Sequence, residues 1–137
     1  ITRTFESKKQ KGAEVDLSTV FANSVKKAVR TVILDQKDHL EVIDRLETRD
    51  KEATVSWMMV TPAEAKITGK NRIELTKDGQ RMLLTADTGT EVEMKIWSNV
   101  PPHEYDFRNP GTIRVGFETV IPANRASQLK VRLIPLK

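Results

Sequence analysis

The side chains that could do chemistry are gathered in one proline-rich segment: Trp97, His103, Glu104, Tyr105, Asp106 and Arg108. Histidine and tyrosine can act as general acids or bases, and arginine can neutralise a carboxylate. If the segment is locally extended, His103 and Tyr105 lie on the same side. Trp97 could stack on a sugar ring, while Tyr105 and Arg108 could hydrogen-bond its hydroxyl or acidic groups. The candidate substrate-binding residues are therefore Trp97, His103, Tyr105 and Arg108.

Three interpretations of this segment remain open. Its aromatic residues could pack against their own sheet, as they often do in proline-rich loops, or they could contact a carbohydrate or a neighbouring domain. Catalysis within this chain is the weakest of the three, because the sequence has no nucleophile elbow, no phosphate-binding glycine loop and no paired-carboxylate motif. No catalytic residue is assigned.

Metal and redox chemistry have little support in the residue types. The chain has no cysteine, which excludes thiolate nucleophiles and cysteine-based zinc sites. Its two histidines, His39 and His103, are far apart in the sequence. No calcium-binding loop pattern is present. We expect no metal and no other cofactor.

The elements that must position these residues are β-strands. Val, Ile and Thr make up about a quarter of the 137 residues, and β-branched side chains suit a pleated sheet. Apolar residues alternate with polar ones in four segments, which predicts half-buried antiparallel strands: residues 52–60, 90–96, 112–117 and 128–133. Only residues 17–23, with Asp16 and Ser18 as possible caps, could form a helical turn.

Turn signals separate the strands at the spacing of an all-β fold. Asp78-Gly79 predicts a tight hairpin, and further turns are expected at residues 35–38, 68–71 and 87–90. With no long helix and no internal repeat, the chain is predicted to be a single domain over residues 1–137. Its fold class is all-β, an antiparallel two-sheet sandwich of supersandwich type.

One residue breaks the alternation. In the segment from His39 to Glu47, Asp44 falls where a core residue is expected. Either the strand has a bulge at this point, which is the commoner solution, or Asp44 points inward and pairs with an arginine.

Charge and hydropathy bear on the choice of partner. Basic residues outnumber acidic ones in residues 1–30 and again in residues 112–137, which would attract polyanions if the termini were adjacent and otherwise indicates a solvated strand face. Aromatic residues are only 5% of the chain, so nucleic acid is not an expected partner. No apolar run approaches the roughly 20 residues of a membrane helix, so a membrane is not expected either. The first residue is Ile1, which suggests processing or a piece of a longer protein.

Several segments, taken in order, resemble the β-domain of the heparinase II/III-like polysaccharide lyases. The similar segments are residues 12–18 (GAEVDLS), 24–32 (SVKKAVRTV), 53–62 (ATVSWMMVTP), 105–111 (YDFRNPG) and 116–118 (GFE). The resemblance covers nearly the whole chain. It implies a C-terminal β-sandwich that lies beside an N-terminal α/α toroid, with an acidic polysaccharide held in the cleft between them.

The resemblance also implies a reaction and a location. Such lyases cleave uronic-acid glycosidic bonds by β-elimination, and the family is periplasmic or secreted. The Tyr, His and Asn residues of the toroid have no counterpart here, and neither His39 nor His103 matches a family histidine. We therefore expect the parent protein to be a lyase and this chain alone to be inactive. A free-standing carbohydrate-binding or adhesive β-sandwich, and a structural module without a ligand, are the alternatives.

Overall fold

The computed structural model describes all 137 residues, which form eleven β-strands and no helix. In chain order the strands are β1 (Arg3–Glu6), β2 (Gln10–Asp16), β3 (Val25–Asp35), β4 (Leu40–Thr48), β5 (Ala53–Thr61), β6 (Glu64–Gly69), β7 (Arg72–Lys77), β8 (Gln80–Asp87), β9 (Glu93–Ser98), β10 (Ile113–Ile121) and β11 (Ala126–Leu136). No element of the chain is a helix of the length and hydropathy needed to cross a bilayer.

The strands form two antiparallel sheets. The large sheet has eight strands in the order β1-β2-β3-β4-β11-β8-β7-β6, and the small sheet has three in the order β5-β10-β9. Most neighbours in the sheets are also neighbours in the sequence, as in a series of hairpins. β11 lies between β4 and β8 and so joins β1–β4 and β6–β8 into one open sheet. The predicted all-β, two-sheet sandwich is confirmed.

The core lies between the small sheet and the middle of the large one. Phe117 is fully buried in β10, and its register partners are Trp57 in β5 and Met94 in β9. The Trp57 and Phe117 rings are parallel, with centroids 6.1 Å apart. Leu129 and Val131 of β11 supply the opposite wall. Each such side chain contributes about 1.5–3 kcal/mol by leaving water, so this layer is what joins the sheets.

The turns follow the sequence signals. Asp78 and Gly79 have φ of 51° and 75° between β7 and β8, the conformation that an Asp-Gly hairpin turn requires. Asp38, at φ 59°, ends the turn between β3 and β4. The segment after β2 is a hydrogen-bonded turn rather than a helix, in which Val20 and Phe21 both donate to the main-chain oxygen of Leu17.

Asp44 is buried and paired, so the expected bulge at this residue is wrong. The ladder between β4 and β11 runs without a shift past the Asp44↔Leu129 pair. Arg30, opposite Asp44 on β3, donates from Nε and Nη2 to its two carboxylate oxygens at 2.7 and 2.9 Å. The bidentate ion pair satisfies the carboxylate inside the sandwich, which removes the need for a bulge. The irregularity in this part of the sheet lies instead in β3, between Val25 and Lys27.

The basic residues near the two ends of the chain do not gather into one surface. In the large sheet β1 and β11 are separated by β2, β3 and β4, which places them about 19 Å apart. Arg3 pairs with Glu14, and Lys130 and Arg132 both pair with Glu41. These residues lie on the face of the large sheet that points away from the small sheet. This face is exposed to solvent, and the three basic residues named here are paired with carboxylates.

Candidate functional site

The candidate site is the loop of residues 99–112, which joins β9 to β10. Asn99 Nδ2 donates to Thr112 Oγ1 at 2.7 Å, and this hydroxyl donates to the main-chain oxygen of Asn109 at 2.6 Å. These bonds tie the two ends of the loop together at the end of the small sheet. Gly111, at φ 73°, allows the chain to turn back into β10. The base of the loop is therefore fixed while its tip projects from the sheet.

The tip of the loop brings two of the candidate residues into contact. The main-chain nitrogen of Asp106 donates to the oxygen of His103 at 3.1 Å, which makes a turn of these residues rather than an extended segment. The His103 and Tyr105 rings stack with centroids 5.0 Å apart and 8° between their planes. Tyr105 remains 83% exposed. The two rings together form an aromatic surface that faces solvent.

Arg108 lies on the same loop as the stacked rings. It lines a depression of about 390 Å³ together with His103 and Glu104. No hydrogen bond or ion pair restrains its guanidinium group, which leaves its donors available for a carboxylate or a hydroxyl. Three of the four candidate residues, His103, Tyr105 and Arg108, are thus on one loop.

Trp97 lies apart from the loop tip. It is half-buried in β9, on the face of the small sheet that points away from the core, and its register partner is Arg114 in β10. Arg114 donates from Nε and Nη2 to the main-chain oxygen of Ser98 at 3.2 and 2.9 Å, which holds its guanidinium at the base of the loop. Trp97 and Arg114 therefore form a second contact point on the adjoining sheet face.

Two residues of this surface were not identified from the sequence. Phe107 is 95% exposed at the tip of the loop, although phenylalanine in a sequence indicates a core position. Arg114 was missed because only the pairing of β9 with β10 places it beside Trp97. The alternation of β10 gives a partial signal, since it puts Arg114 on the face opposite Val115. Solvent-facing aromatic rings of this kind mark contact surfaces.

The loop is equipped for contact rather than for catalysis. A base or acid acts efficiently only when it is oriented at the reacting atom, and hydrogen bonds usually provide that orientation. Neither the Tyr105 hydroxyl nor the His103 ring nitrogens have a hydrogen-bond partner in the protein. The arrangement can stack on a sugar ring and bind its acidic group, but it holds no general base in a defined position.

The charges around the small sheet differ between its two ends. The loop region is balanced, with Arg108 and Arg114 against Glu104 and Asp106. Another depression, of about 840 Å³, lies toward the other end, and the charged residues of its lining are Glu91, Glu93, Glu118 and Lys70. Lys70 and Lys95 pair with these carboxylates, so this depression offers an acidic ligand no free cation, whereas Arg108 of the loop is unpaired.

The outer face of the small sheet is held by one ion-pair cluster. Lys95 Nζ donates to Glu118 Oε2 at 2.6 Å, and Ser56 Oγ donates to Glu118 Oε1 at 3.2 Å. These bonds lower the pKa of Glu118, and the same carboxylate raises the pKa of Lys95. The cluster connects β5, β10 and β9, and so steadies the strand that carries Trp97. The structure gathers no group of three or more residues suited to metal binding.

The fold is similar to that of solved heparinase structures. A heparinase III structure superposes with a TM-score of 0.73 at 13% identity, over 98% of this chain and 20% of its own. The heparinase III that is the BT4657 gene product gives 0.73 at 15% identity, over 99% and 21%. A heparan sulfate lyase, HepC from Pedobacter heparinus, gives 0.75 at 13% identity, over 98% and 21%.

These similarities establish the fold. The chain spans about a fifth of the length of those solved structures. No family model matches the sequence, and no curated protein matches it either. The resemblance to heparinase-type lyases that the sequence motifs indicated is therefore confirmed as a likeness of fold, over almost the entire chain.

Proposed function

We propose that this chain is the β-domain of a heparinase II/III-like polysaccharide lyase, in which it forms one wall of the glycan cleft beside an α/α toroid. The observation that carries the proposal is the superposition on heparinase III structures over 98% of this chain but only 20% of theirs. The order of the sequence motifs supports the same origin. A C-terminal position in the parent and a periplasmic or secreted location are parts of the proposal.

The proposed division of labour follows from the chemistry of β-elimination at a uronic acid. A base must remove the proton from C5, a neutralising group must hold the C5 carboxylate, and an acid must protonate the leaving oxygen, all within hydrogen-bond reach. The chain has one tyrosine and two histidines, and His39 lies in the turn between β3 and β4 of the large sheet, whereas the loop belongs to the small sheet. The reacting groups are therefore supplied by the toroid of the parent protein.

The role of the loop in this proposal is to contact the acidic polysaccharide or the toroid that faces it. Tyr105 and His103 offer stacked rings, and Arg108 offers donors for a uronate carboxylate. Trp97 would extend that contact along the sheet face. Because the charges of the loop are balanced, stacking and hydrogen bonding rather than long-range attraction provide the affinity.

The test is the activity of the full-length gene product that contains residues 1–137. Heparan sulfate and other uronic-acid polysaccharides are supplied as substrates, and the ultraviolet absorbance of the C4–C5 double bond formed by elimination is followed. We expect this absorbance to appear with at least one polysaccharide, and we expect a helical domain in the same chain. A gene product that lacks a helical domain, or that eliminates none of these glycans, contradicts the proposal.

A free-standing carbohydrate-binding module is the second candidate, and the exposure of Tyr105 and Phe107 favours it. Calorimetric titration of the 137-residue chain with uronic-acid oligosaccharides separates the two. Tight binding that is abolished in Trp97→Ala or Tyr105→Ala, but kept in Phe21→Ala on the other side of the fold, supports the autonomous module. Absence of binding supports a domain that works only beside its partner.

A further inference from the structure

The edge strand β5 differs from the other three edge strands of the fold. β1, β6 and β9 are four to six residues long, and each carries charged residues. β5 has nine residues, Ala53–Thr61, and none of them is charged. Short length and charge are the usual means by which proteins prevent unwanted pairing at a sheet edge. β5 lacks both of these protections.

A free β edge requires a specific kind of partner. β5 pairs only with β10, so along its other side every second residue presents a main-chain N–H and C=O without a strand to receive them. Buried main-chain groups need partners, and another extended segment satisfies such a row completely. A β-strand is therefore the kind of segment that fits this edge best.

The large sheet extends beyond β5 and forms a ledge. The ledge consists of the four apolar residues Ala13, Val15, Val32 and Leu34 on the core-facing side of β2 and β3, which the registers with β4 place on the same face as Val42; Lys11 and Arg30 lie beside them on that face. All four are only half-buried, because the small sheet ends at β5. One more strand paired with β5 would lie over this apolar ledge.

A cleft next to the ledge, between β5 and the segment that follows β2, contains an unsatisfied donor and also the Arg30–Asp44 ion pair. The cleft, of about 380 Å³, is lined mainly by apolar side chains, among them Leu17, Phe21 and Leu46. Trp57 also lines it and is 6% exposed, yet its indole Nε1 has no hydrogen-bond acceptor. A buried N–H without a partner is costly, and an acceptor carried by an added strand on its core-facing side would remove this cost.

We infer that β5 is an interior strand in the protein to which this chain belongs, and that an extended, largely apolar segment of the parent polypeptide outside residues 1–137 pairs with it. The inference rests on the proposed function in one respect, that a longer chain surrounds this domain. The added strand covers the ledge with alternate side chains, and its core-facing side provides an acceptor for the Trp57 N–H. The small sheet thereby gains a fourth strand.

A second copy of this chain does not fit the same edge. Antiparallel pairing of β5 with β5 would relate the copies by a two-fold axis perpendicular to the small sheet, so both large sheets would lie on the same side. Each large sheet extends about 10–14 Å past β5, and the two extensions would occupy the same space. A single strand without a sheet beneath it has no such conflict.

Amide hydrogen exchange in the full-length gene product tests the inference. An interior strand is protected at consecutive residues, whereas an edge strand shows fast exchange at every second residue. We expect consecutive protection from Thr54 to Val60, with the slow amides exchanging about 100-fold more slowly than the free amides of β9. β9 is the matched control, because it is the other edge of the same small sheet.

The outcomes separate this inference from the proposed function. Alternating protection in β5, like that of β9, overturns the inference even if the protein is an active lyase. Consecutive protection in a protein that eliminates no glycan supports the inference and contradicts the proposed function alone. Protection at β5 that is lost when the full-length protein carries Val15→Lys on the ledge, but kept with Ile33→Lys on the opposite face of the large sheet, further supports the pairing.

Discussion

At the scale of single residues, the ion pair between Arg30 and Asp44 is the part of the interior most sensitive to substitution. The Asp44 side chain is only 10% exposed, and both of its oxygens accept from Arg30. The same contact raises the pKa of Arg30, against the opposing effect of its partial burial. A buried charge that loses its partner costs much more than the pair gains, so the two residues are strongly coupled.

Substitution of Arg30 by methionine should destabilise the fold by about 3 kcal/mol, at the lower end of the range for broken buried pairs because the arginine is partly exposed. Chemical denaturation measures this change in the free energy of unfolding. The double variant Arg30→Met with Asp44→Leu should recover most of the loss. Lys26→Met, at the exposed Lys26–Glu47 pair, is the control and should change little. Equal effects of Arg30→Met and Lys26→Met would contradict this account.

Gly116 is required by a close approach of two strands. A Cβ atom at this position would lie 1.8 Å from the main-chain oxygen of Trp57 in β5. We therefore expect Gly116→Ala to cost about 3 kcal/mol or more in the free energy of unfolding, because β5 and β10 must separate. Gly69→Ala, whose Cβ would meet only Arg72 side-chain atoms at 3.7 Å or more, is the matched control and should lie within about 0.5 kcal/mol. Similar stabilities of the two variants in thermal unfolding would rule out this role for Gly116.

The sequence alone predicted some of these residue contacts only in part. Asp44 stands out because it interrupts an apolar alternation, but its partner is identified only when β3 pairs with β4. The position of Arg114 beside Trp97 could not be predicted for the same reason, because it depends on the register of β9 with β10. Contacts between strands are set by pairing over long separations in the chain, which local periodicity does not contain.

At the scale of elements, four strands were predictable because apolar and polar residues alternate in them: β5, β9, β10 and β11. The core-facing residues Trp57, Phe117 and Val131 were all placed on the correct face of their strands by period-two patterning. β3 could not be predicted in this way, because its sequence shows no clean alternation. Its residues are partly buried on both faces of the sheet. This pattern is typical of a strand that is packed on both faces, and it agrees with the presence of the ledge beside β5.

The ion-pair cluster of the small sheet gives a pH dependence at this scale. Lys95 and Ser56 donate to Glu118 and lower its pKa from 4.5 in the folded state. A lowered pKa stabilises the fold above the unfolded-state value, and this stabilisation is lost as the pH falls through the folded-state value. The cluster therefore supports the pairing of β5, β10 and β9 at neutral pH and not in acid.

Unfolding by denaturant at several pH values, in the natural protein and in Glu118→Gln, measures this contribution. The difference in free energy of unfolding should be constant above about pH 5 and should shrink below about pH 4.5. Glu64→Gln, on the exposed edge strand β6, serves as the control and should show no such trend. A Glu118→Gln difference that stays the same from neutral pH into acid would show that the ion pair adds no stability.

At the scale of the whole molecule, the fold class follows from composition and turn spacing, whereas the unequal widths of the two sheets do not. Eight strands face three, so the small sheet leaves part of the large one without cover. Nothing in the alternation of an individual strand states how many strands its sheet contains. In the inference drawn above, an added strand paired with β5 would cover part of that exposed face of the large sheet.

The candidate site, like the fold, could be predicted from the sequence only in part. The proline-rich segment was recognisable as a long loop, and its His103–Tyr105 stack is formed within the loop itself. Trp97 belongs to a different surface, and no residue of the chain orients a general base. In the proposed function this loop contacts the glycan or the facing toroid, and the reacting groups come from the toroid.

The most direct measurement compares the 137-residue chain with the full-length gene product in one eliminative assay on heparan sulfate and other uronic-acid polysaccharides. We predict that the full-length protein generates the ultraviolet absorbance of unsaturated uronic acid and that the isolated chain generates none at the same molar concentration. Release of unsaturated product by the isolated chain would contradict the central claim that its reactive groups lie on another part of the polypeptide.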